Sequence, residues 1–298
     1  KEGVNAWVTI MRGCDKFCTF CIVPFTRGRE RSRSIDGIVR EVENVVIDGF
    51  TEVTLLGQNV NSYNYNGLNF TKLLKSVAKV KGLKRIRYTS PHPQDINIEL
   101  LKVMADYENI CNYIHLPLQS GSNKILKRMN RTYTMEHFID LSRKIRDILP
   151  NAGISTDIIV GFPGESDNDF KDTIKVMEEV KFDSAFTFKY SPRKGTKASE
   201  YDDHIDEKIK QKRLEEVISL QKSHTIHRNQ TYIGTIENVL IEKVSKRKDT
   251  KWAGRTESNK WVIFDKDQAS IKDIVPVLIT SSKDITLHGK IINKAKAA

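Results

Sequence analysis

Three cysteines close to the amino terminus could together hold a metal centre. Cys14, Cys18 and Cys21 follow the pattern C-x-x-x-C-x-x-C within the stretch R-G-C-D-K-F-C-T-F-C-I-V-P-F-T-R-G-R-E-R-S-R. Thiolates select soft centres such as zinc, copper(I) or iron-sulfur clusters. A structural zinc site normally takes four protein ligands, whereas this stretch supplies three. A four-iron cluster on three thiolates would leave one iron open to a substrate or cofactor, which is the arrangement of a reactive centre.

Two simpler interpretations of these thiols stay open at this point: a zinc loop, or three unrelated buried cysteines. Four cysteines in 298 residues exclude a disulfide-rich scaffold. The fourth, Cys111, reads as a small buried apolar residue. His92 and His115 lie at or near predicted strand ends, where a hydrogen-bonded framework role is more common than proton transfer.

The composition is that of a globular protein, and its positive net charge indicates an acidic partner. Apolar residues make up 39% of the chain and charged residues 29%, and the formal net charge is +11. This charge favours nucleic acid over a membrane surface as the partner. No apolar run approaches the roughly 20 residues of a membrane span, and no signal-peptide pattern begins the chain. We therefore expect a soluble, cytosolic protein that contacts no membrane and keeps its thiols reduced.

Six short apolar runs alternate with stretches of helical periodicity in the first two thirds of the chain. The predicted strands are 4–10, 52–56, 85–88, 113–116, 154–160 and 185–190. Such alternation implies a parallel sheet with right-handed crossovers. In parallel barrels, chemistry gathers at the carboxyl ends of the strands. Polar or glycine-containing segments do follow the predicted strands, although each could equally be ordinary turn chemistry.

A change of pattern near Asn229 predicts a second domain, with boundaries 1–228 and 229–298. A long polar helix, 206–230, precedes the change, and its mixed charges indicate a solvated face. The runs 232–243, 251–264, 275–280 and 285–292 then predict four or five short strands and a small barrel.

A basic hairpin in this tail interleaves lysines and arginines with Trp252 and Trp261. Such a surface could neutralise phosphates and stack on bases. The alternative is that both tryptophans belong to the core and the charges only solvate a loop. The candidate RNA contacts here are Lys246, Arg247, Lys248, Lys251, Arg255 and Lys260.

The cysteine spacing, with Phe20 before the third cysteine, resembles the radical S-adenosylmethionine (SAM) superfamily, whose fold is an open parallel (β/α)6 partial barrel. Five strings across the chain resemble its methylthiotransferase branch, in particular the MiaB type. They are C-T-F-C-I-V-P-F-T-R-G-R-E-R-S-R, L-L-G-Q-N-V-N-S-Y, H-L-P-L-Q-S-G-S, D-I-I-V-G-F-P-G-E and Y-S-P-R-K-G-T-K-A. In the tail, G-R-T-E-S-N-K resembles a TRAM domain, a small all-β RNA-binding barrel. Ser34 and Thr132 are minor departures from the family pattern.

The resemblance implies an activity and two cofactors. MiaB-type enzymes add a methylthio group to carbon-2 of isopentenyl-adenosine beside the tRNA anticodon. The three cysteines would bind one 4Fe-4S cluster, and the open iron would bind SAM. The residues expected around SAM are Phe20, Gly57, Gln58, Ser120, Asp157 and Val160.

The arginines that follow the cysteines are the second group of candidate RNA contacts. They are Arg27, Arg29, Arg31 and Arg33, with Arg193 near the sixth predicted strand. Arginine suits the recognition of phosphates in an anticodon stem-loop. Loop-stabilising ion pairs are the alternative role. The implied partners are tRNA and a reducing electron-donor protein, and we expect a monomer.

The family normally has a further amino-terminal domain, whose three cysteines hold a second 4Fe-4S cluster that carries the sulfur. Cys111 alone cannot hold such a cluster, so we expect this chain to be a fragment or processed form without its sulfur donor. Two other functions stay open. One is a methylthiotransferase for a ribosomal protein or threonylcarbamoyl-adenosine, and the other is an RNA-binding module without chemistry.

Overall fold

The structure is a computed structural model that describes residues 3–246 and 248–292. Arg247, one of the candidate RNA contacts, lies outside the described residues. The described chain contains no helix long and apolar enough to cross a membrane.

Six parallel strands form the sheet of the first domain, and their order in the sheet is their order in the sequence. They are β1 (Asn5–Thr9), β2 (Glu52–Leu56), β3 (Arg85–Tyr88), β4 (Tyr113–His115), β5 (Gly153–Val160) and β6 (Ser184–Lys189). Two three-stranded ladders, β1-β2-β3 and β4-β5-β6, meet at a parallel bridge between Ile86 and Ile110. There the Cys111 amide donates to the Ile86 carbonyl at 2.9 Å. With β1 and β6 as its edges, the sheet is the predicted open (β/α)6 partial barrel.

Eight helices connect and cover these strands in the described part of the chain. They are α1 (Val23–Arg27), α2 (Ile35–Ile47), α3 (Phe70–Ala78), α4 (Ile98–Asp106), α5 (Asn123–Arg128), α6 (Met135–Ile148), α7 (Asp167–Val180) and α8 (Glu207–Gln230). At most of the helix amino termini, a polar side chain accepts a hydrogen bond from a backbone N–H group, which stabilises the first turn of the helix. Ser34, the departure from the family pattern, is one of these caps and accepts from Gly37.

The core of the first domain lies between the sheet and its helices. Phe138 of α6 is fully buried there and contacts the ring of Phe182 edge-on. Smaller elements complete the domain. They are the two-residue ladders Met11–Arg12 with Arg31–Ser32 and Asn64–Tyr65 with Leu68–Asn69, and the 3-10 turns Val60–Ser62, Pro93–Asp95 and Lys197–Glu200.

Helix α8 has a polar buried face as well as the predicted solvated one. Arg213 donates to the buried carboxylate of Glu165 at 2.8 Å, and the side chain of Gln221 donates to the Phe182 carbonyl at 2.9 Å. Apolar periodicity could not reveal this face, because its contacts are hydrogen bonds and ion pairs. The boundary predicted near Asn229 falls in the last turn of α8 and stays a prediction.

The second domain is a closed five-stranded barrel, as the all-β tail predicted. Its strands are β7 (Ile236–Val244), β8 (Lys251–Arg255), β9 (Trp261–Asp265), β10 (Ile274–Lys283) and β11 (Thr286–Ile291), in the order β7-β8-β9-β11-β10. The predicted run 251–264 is therefore two strands joined by a turn. The run predicted from Tyr232 begins later, at Ile236, because Tyr232 lies in a turn and its hydroxyl is hydrogen-bonded to Ser258.

The two domains are joined by buried charges at the amino-terminal end of the first barrel. Lys260 pairs with the buried Asp183 at 2.9 Å, and Arg228 lies 3.3 Å from the same carboxylate. Burial alone would raise the pKa of Asp183, but the two cations outweigh burial and hold this pKa below its usual range. The ionised carboxylate therefore stabilises the folded chain above the unfolded pKa of about 4, and this contribution is lost as the pH falls further.

The Asp183→Asn substitution is expected to lower the free energy of unfolding by about 3 kcal/mol at pH 7, since it leaves buried cations unpaired. The loss should shrink below pH 4, where Asp183 of the unfolded parent takes up a proton, and it should vanish only below the lower pKa of the folded state. Chemical denaturation at both pH values measures this difference. Asp172→Asn, which removes a surface pair with Lys175, is the control and should cost less than about 1 kcal/mol. Equal losses for Asp183→Asn at pH 7 and pH 3 would contradict the assignment.

Candidate metal centre and barrel cavity

The cysteine loop begins just past the carboxyl end of β1 and is tied to the next strand. The Gly13 amide donates to the side-chain oxygen of Gln58, after β2, at 2.7 Å. The Cys14 amide donates to the Gly28 carbonyl at 3.2 Å. Gly13 has a φ of +84°, and a Cβ there would lie 2.1 Å from the Arg29 carbonyl oxygen, so only glycine fits.

The far side of the loop is tied to the segment after α5. The Thr19 amide donates to the Met129 carbonyl at 3.1 Å, and its hydroxyl donates to the Arg128 carbonyl at 2.9 Å. The side chain of Asn130 donates to the carbonyls of Lys16 and Phe17. The loop is therefore held from both sides at the carboxyl end of the barrel.

The three thiols are half-buried and influence one another. Burial raises the pKa of Cys14 to about 11, and the neighbouring Cys18 and Cys21 add to this rise. The pKa of Cys21 is raised mainly by burial as well. Arg131, which is half-buried, donates to the sulfur of Cys18 at 3.3 Å. Metal binding would therefore have to displace protons from these thiols.

The donor set fits a cluster with an open iron. It offers three thiolates on one loop, while Cys111 is buried elsewhere in the barrel wall. Cys18 and Cys21 also line a cavity of about 380 Å³. Across residues 3–246 and 248–292, no three His, Cys, Asp or Glu side chains are arranged around a single metal ion. In a four-iron cluster each thiolate has its own iron.

A second cavity, of about 400 Å³, lies inside the barrel. Its lining combines exposed aromatic rings with polar groups from β1 to β6 and from the second domain. These residues are Asn5, Trp7, Thr54, Arg87, Tyr88, Thr89, Ser90, Tyr113, His115, Asp157, Phe186, Arg255 and Asn259. A cavity of this size and mixed lining is typical of a small-ligand site.

His115 lines this cavity and is held there by hydrogen bonds. Its Nδ1 lies 2.8 Å from the hydroxyl of Ser155, and its Nε2 lies 3.2 Å from a carboxylate oxygen of Asp157. His92 is a framework residue instead. Burial, with Arg131 nearby, lowers the pKa of His92 to about 2, and its Nδ1 accepts from the Gln94 amide.

The residues expected around SAM occupy four kinds of position. Gly57 and Gln58 follow β2 beside the cysteine loop, and Asp157 faces the barrel cavity. The ring of Phe20 packs edge-on against Phe162. The side chains of Ser120 and Val160 are buried in the protein. Their roles toward SAM stay predictions.

The arginines after the cysteine loop divide into exposed and paired groups. Arg27, Arg31 and Arg193 are exposed. Arg29 is exposed but pairs with Asp15 at 2.7 Å, and Arg33 pairs with Glu41 at 2.6 Å. Arg29 and Arg33 thus make ion pairs, and the RNA contacts of all five arginines stay predictions.

The second domain carries a basic groove of about 680 Å³. Lys246 and Lys248 are exposed along it, and Lys251 is half-buried and pairs with Asp265. Trp261 also lines the groove, with the Lys243 ammonium 4.4 Å from its ring centre. Trp252 instead packs against the domain core. Trp252 thus has the core position considered from the sequence, whereas stacking of bases on Trp261 stays a prediction.

Two candidate RNA contacts face the first domain and not this groove. Lys260 is buried in its pair with Asp183. Arg255 is bound by two carboxylates, those of Glu52 and Glu242. Placing Lys260 on an exposed RNA surface was wrong, since the turn 256–260 packs onto the barrel and takes its side chain inward.

Sequence reasoning missed three residues of the site: Arg131, Trp7 and Phe186. Arg131 directly precedes Thr132, and no spacing in the sequence links it to the cysteine loop. Trp7 and Phe186 lie in predicted strands, and only the open cavity shows that their rings are exposed.

Comparisons with known families agree with this architecture. A model described as "Radical SAM superfamily" matches residues 8–177, and the TRAM domain model matches residues 230–292. The first match covers more than half of the chain and includes the cysteine loop, α5 and β5. The chain belongs to the radical SAM superfamily and carries a TRAM domain.

Its similar relatives are named tRNA-2-methylthio-N(6)-dimethylallyladenosine synthase. The relative from Acetivibrio thermocellus is 47% identical over 98% of this chain and 62% of its own length. That from Carboxydothermus hydrogenoformans is 46% identical over 98% of this chain and 67% of its own length. The chain thus spans about two thirds of the curated relatives that it matches.

Solved structures confirm the fold at low sequence identity. Coproporphyrinogen III oxidase from Escherichia coli aligns with a TM-score of 0.55 and 15% identity over 86% of this chain and 67% of its own. The methyltransferase TsrM from Kitasatospora setae, solved with cobalamin and a 4Fe-4S cluster, gives the same TM-score over 66% of this chain and 39% of its own. Radical SAM proteins use a 4Fe-4S cluster and SAM, and the three-thiolate loop is where this chain would hold that cluster.

Replacing any one of Cys14, Cys18 or Cys21 by alanine is expected to reduce the iron bound after anaerobic reconstitution at least fivefold, because two thiolates hold a four-iron cluster poorly. Iron and sulfide analysis of the purified chain measures this. Cys111→Ala is the matched control and should keep the parental iron content. A Cys111 variant that loses as much iron as the others would contradict the ligand assignment.

Proposed function

We propose that this chain is the radical SAM and RNA-binding part of a tRNA methylthiotransferase that acts on carbon-2 of dimethylallyl-adenosine beside the anticodon. The observation that carries the proposal is the identity of 44–47% with synthases of that name along almost the whole chain. This identity spans both the cysteine loop and the TRAM barrel. It favours tRNA over a ribosomal protein as the substrate.

The location of the cysteine loop and of the cavity in one barrel supports this chemistry. When bound, a reduced cluster and SAM supply a 5'-deoxyadenosyl radical, which removes hydrogen from an unactivated carbon. The protein's task is then to hold the target carbon close to that radical and to exclude competing groups. The cysteine loop lies at the carboxyl end of β1, and the cavity that contains His115 and Asp157 lies within the same barrel.

Two basic surfaces support the choice of an RNA substrate. Exposed Arg27 and Arg31 lie just after the cysteine loop, near the proposed reaction site. Lys246 and Lys248 lie along the groove of the second domain, where Trp261 offers a ring for stacking. Cations of this kind bind phosphates without reading sequence, whereas the barrel cavity would select the base.

Sulfur donation is the step that this chain would not perform by itself. A second cluster needs further thiolates, and the only cysteine outside the loop is Cys111. We therefore propose that the sulfur comes from another domain or protein. The chain alone would bind the tRNA and cleave SAM.

SAM cleavage tests the enzymatic part of the proposal. The reconstituted and reduced chain is expected to convert SAM to 5'-deoxyadenosine, with a rate that rises severalfold when an anticodon stem-loop containing dimethylallyl-adenosine is added. Liquid chromatography of the products measures both rates. The same stem-loop with unmodified adenosine is the control substrate. If the iron-loaded chain cleaves no SAM, the enzymatic part of the proposal is wrong and only an RNA-binding module remains.

Removing the groove lysines tests the RNA surface. The Lys246→Ala, Lys248→Ala double variant is expected to bind the stem-loop about tenfold more weakly. The slope of log affinity against log salt concentration should become shallower by the amount expected for about two lost phosphate contacts. Fluorescence anisotropy at several salt concentrations measures both quantities. Lys144→Ala, Lys171→Ala removes two exposed lysines from α6 and α7 and is the matched control. Equal losses in the two double variants would show that only net charge matters.

A further inference from the structure

The second domain contributes directly to the cavity of the first. Arg255 and Asn259, at the two ends of the turn between β8 and β9, line the barrel cavity together with residues of all six parallel strands. This turn belongs to the string G-R-T-E-S-N-K that resembled a TRAM domain. Its contacts show a role inside the barrel and away from the basic groove.

The turn is fixed to β2 and β3. Arg87 donates to the carbonyls of Thr256 and Glu257 at 2.8 and 3.0 Å. The fully buried carboxylate of Glu52 accepts from both Arg87 and Arg255, at 2.9 and 3.1 Å. Because buried charge-assisted hydrogen bonds hold their partners in one geometry, the turn forms a rigid floor for the cavity.

A chain of polar side chains runs from this floor into the cavity. Arg255 donates to the side-chain oxygen of Asn259 at 2.8 Å, and the side-chain amide of Asn259 interacts with the hydroxyl of Tyr113, which lines the same cavity. The Tyr113 hydroxyl lies 2.6 Å from that of Ser155, which lies 2.8 Å from the ring of His115. Asn259 of the second domain is thereby linked to the ring of His115.

Two aromatic rings in the cavity have no partner that covers them among the described residues. Trp7, on edge strand β1, is 62% exposed, and Phe186, on edge strand β6, is 57% exposed. The Phe186 ring meets His115 edge-on at 5.9 Å. Exposed ring faces beside fixed polar groups suit a flat heterocycle that stacks on its faces and forms hydrogen bonds at its edge. A purine base has this chemistry.

We propose that Asn259 is a positioning residue for the target base: through Tyr113 and Ser155 it orients His115 against the edge of a purine stacked on Trp7 and Phe186. This inference rests on the proposed function, because it takes the cavity to be the place of the adenine. It assigns the TRAM domain a role in base recognition that is separate from its basic groove. The groove binds the phosphates, and the turn helps to place the base.

The backbone conformation at Asn259 allows its side chain to be removed without strain in the turn. Its φ is +67°, a region that glycine adopts freely and alanine does not. Asn259→Gly therefore removes the side-chain amide while keeping the turn. Asn66, exposed in a hairpin turn with a φ of +50°, offers the matched control Asn66→Gly.

The experiment uses the full chain without reconstitution and an anticodon stem-loop whose target adenine carries carbon-13 at position 2. Stacking on Trp7 and Phe186 should shift the resonance of this C–H group through the aromatic ring currents. At saturating protein, with saturation checked by anisotropy, we expect a shifted resonance in the parent and in Asn66→Gly. In Asn259→Gly the ratio of the shifted to the unshifted population should fall about fivefold, as for one lost hydrogen bond.

A double-mutant cycle separates positioning from a general structural effect. Ser155→Ala breaks the same hydrogen-bonded chain nearer to His115. If Asn259 acts through that chain, the double variant should lose no more of the shifted population than the stronger single variant. Additive losses would overturn the proposed route, and a parental signal in Asn259→Gly would overturn the role of Asn259 while leaving the proposed function standing. No shifted resonance in the parent would overturn both.

Discussion

The chemistry of this protein depends on the cysteine loop, which hydrogen bonds fix at the carboxyl end of β1. The hydrogen bond from Gly13 to Gln58 and the close approach of Gly13 to Arg29 fix the point where the cysteine loop leaves β1. The bonds of Thr19 to the end of α5 fix its other side. Three thiolates can then be presented together, and a cluster with one open iron is the centre that this donor set fits.

The second constraint is the buried carboxylate of Glu52, which holds the two domains together. It accepts hydrogen bonds from Arg87 of the barrel and Arg255 of the TRAM domain. A buried anion with two cationic partners is costly to separate, since any one group left alone would be unpaired in the interior. The TRAM domain is thus part of the barrel's closed end, and the cavity of one domain is completed by the other.

Local sequence patterns were enough to predict the strands, most of the helices, the closed second barrel and the cysteine loop. These features follow from periodicity, turn residues and short spacings. The inward direction of Lys260, the contact of Arg131 with Cys18 and the polar buried face of α8 could not be predicted in the same way. Each depends on a partner more than forty residues away, so the pattern around the residue carries no trace of it.

The central claim is that one iron of a three-thiolate cluster is open to SAM, and electron-nuclear double resonance of the reduced, reconstituted chain tests it most directly. SAM labelled with nitrogen-15 in its amino group is predicted to give a nitrogen hyperfine coupling to the cluster that disappears when SAM is left out. A cluster signal that shows no such coupling, and that is unchanged by saturating SAM, would contradict the account.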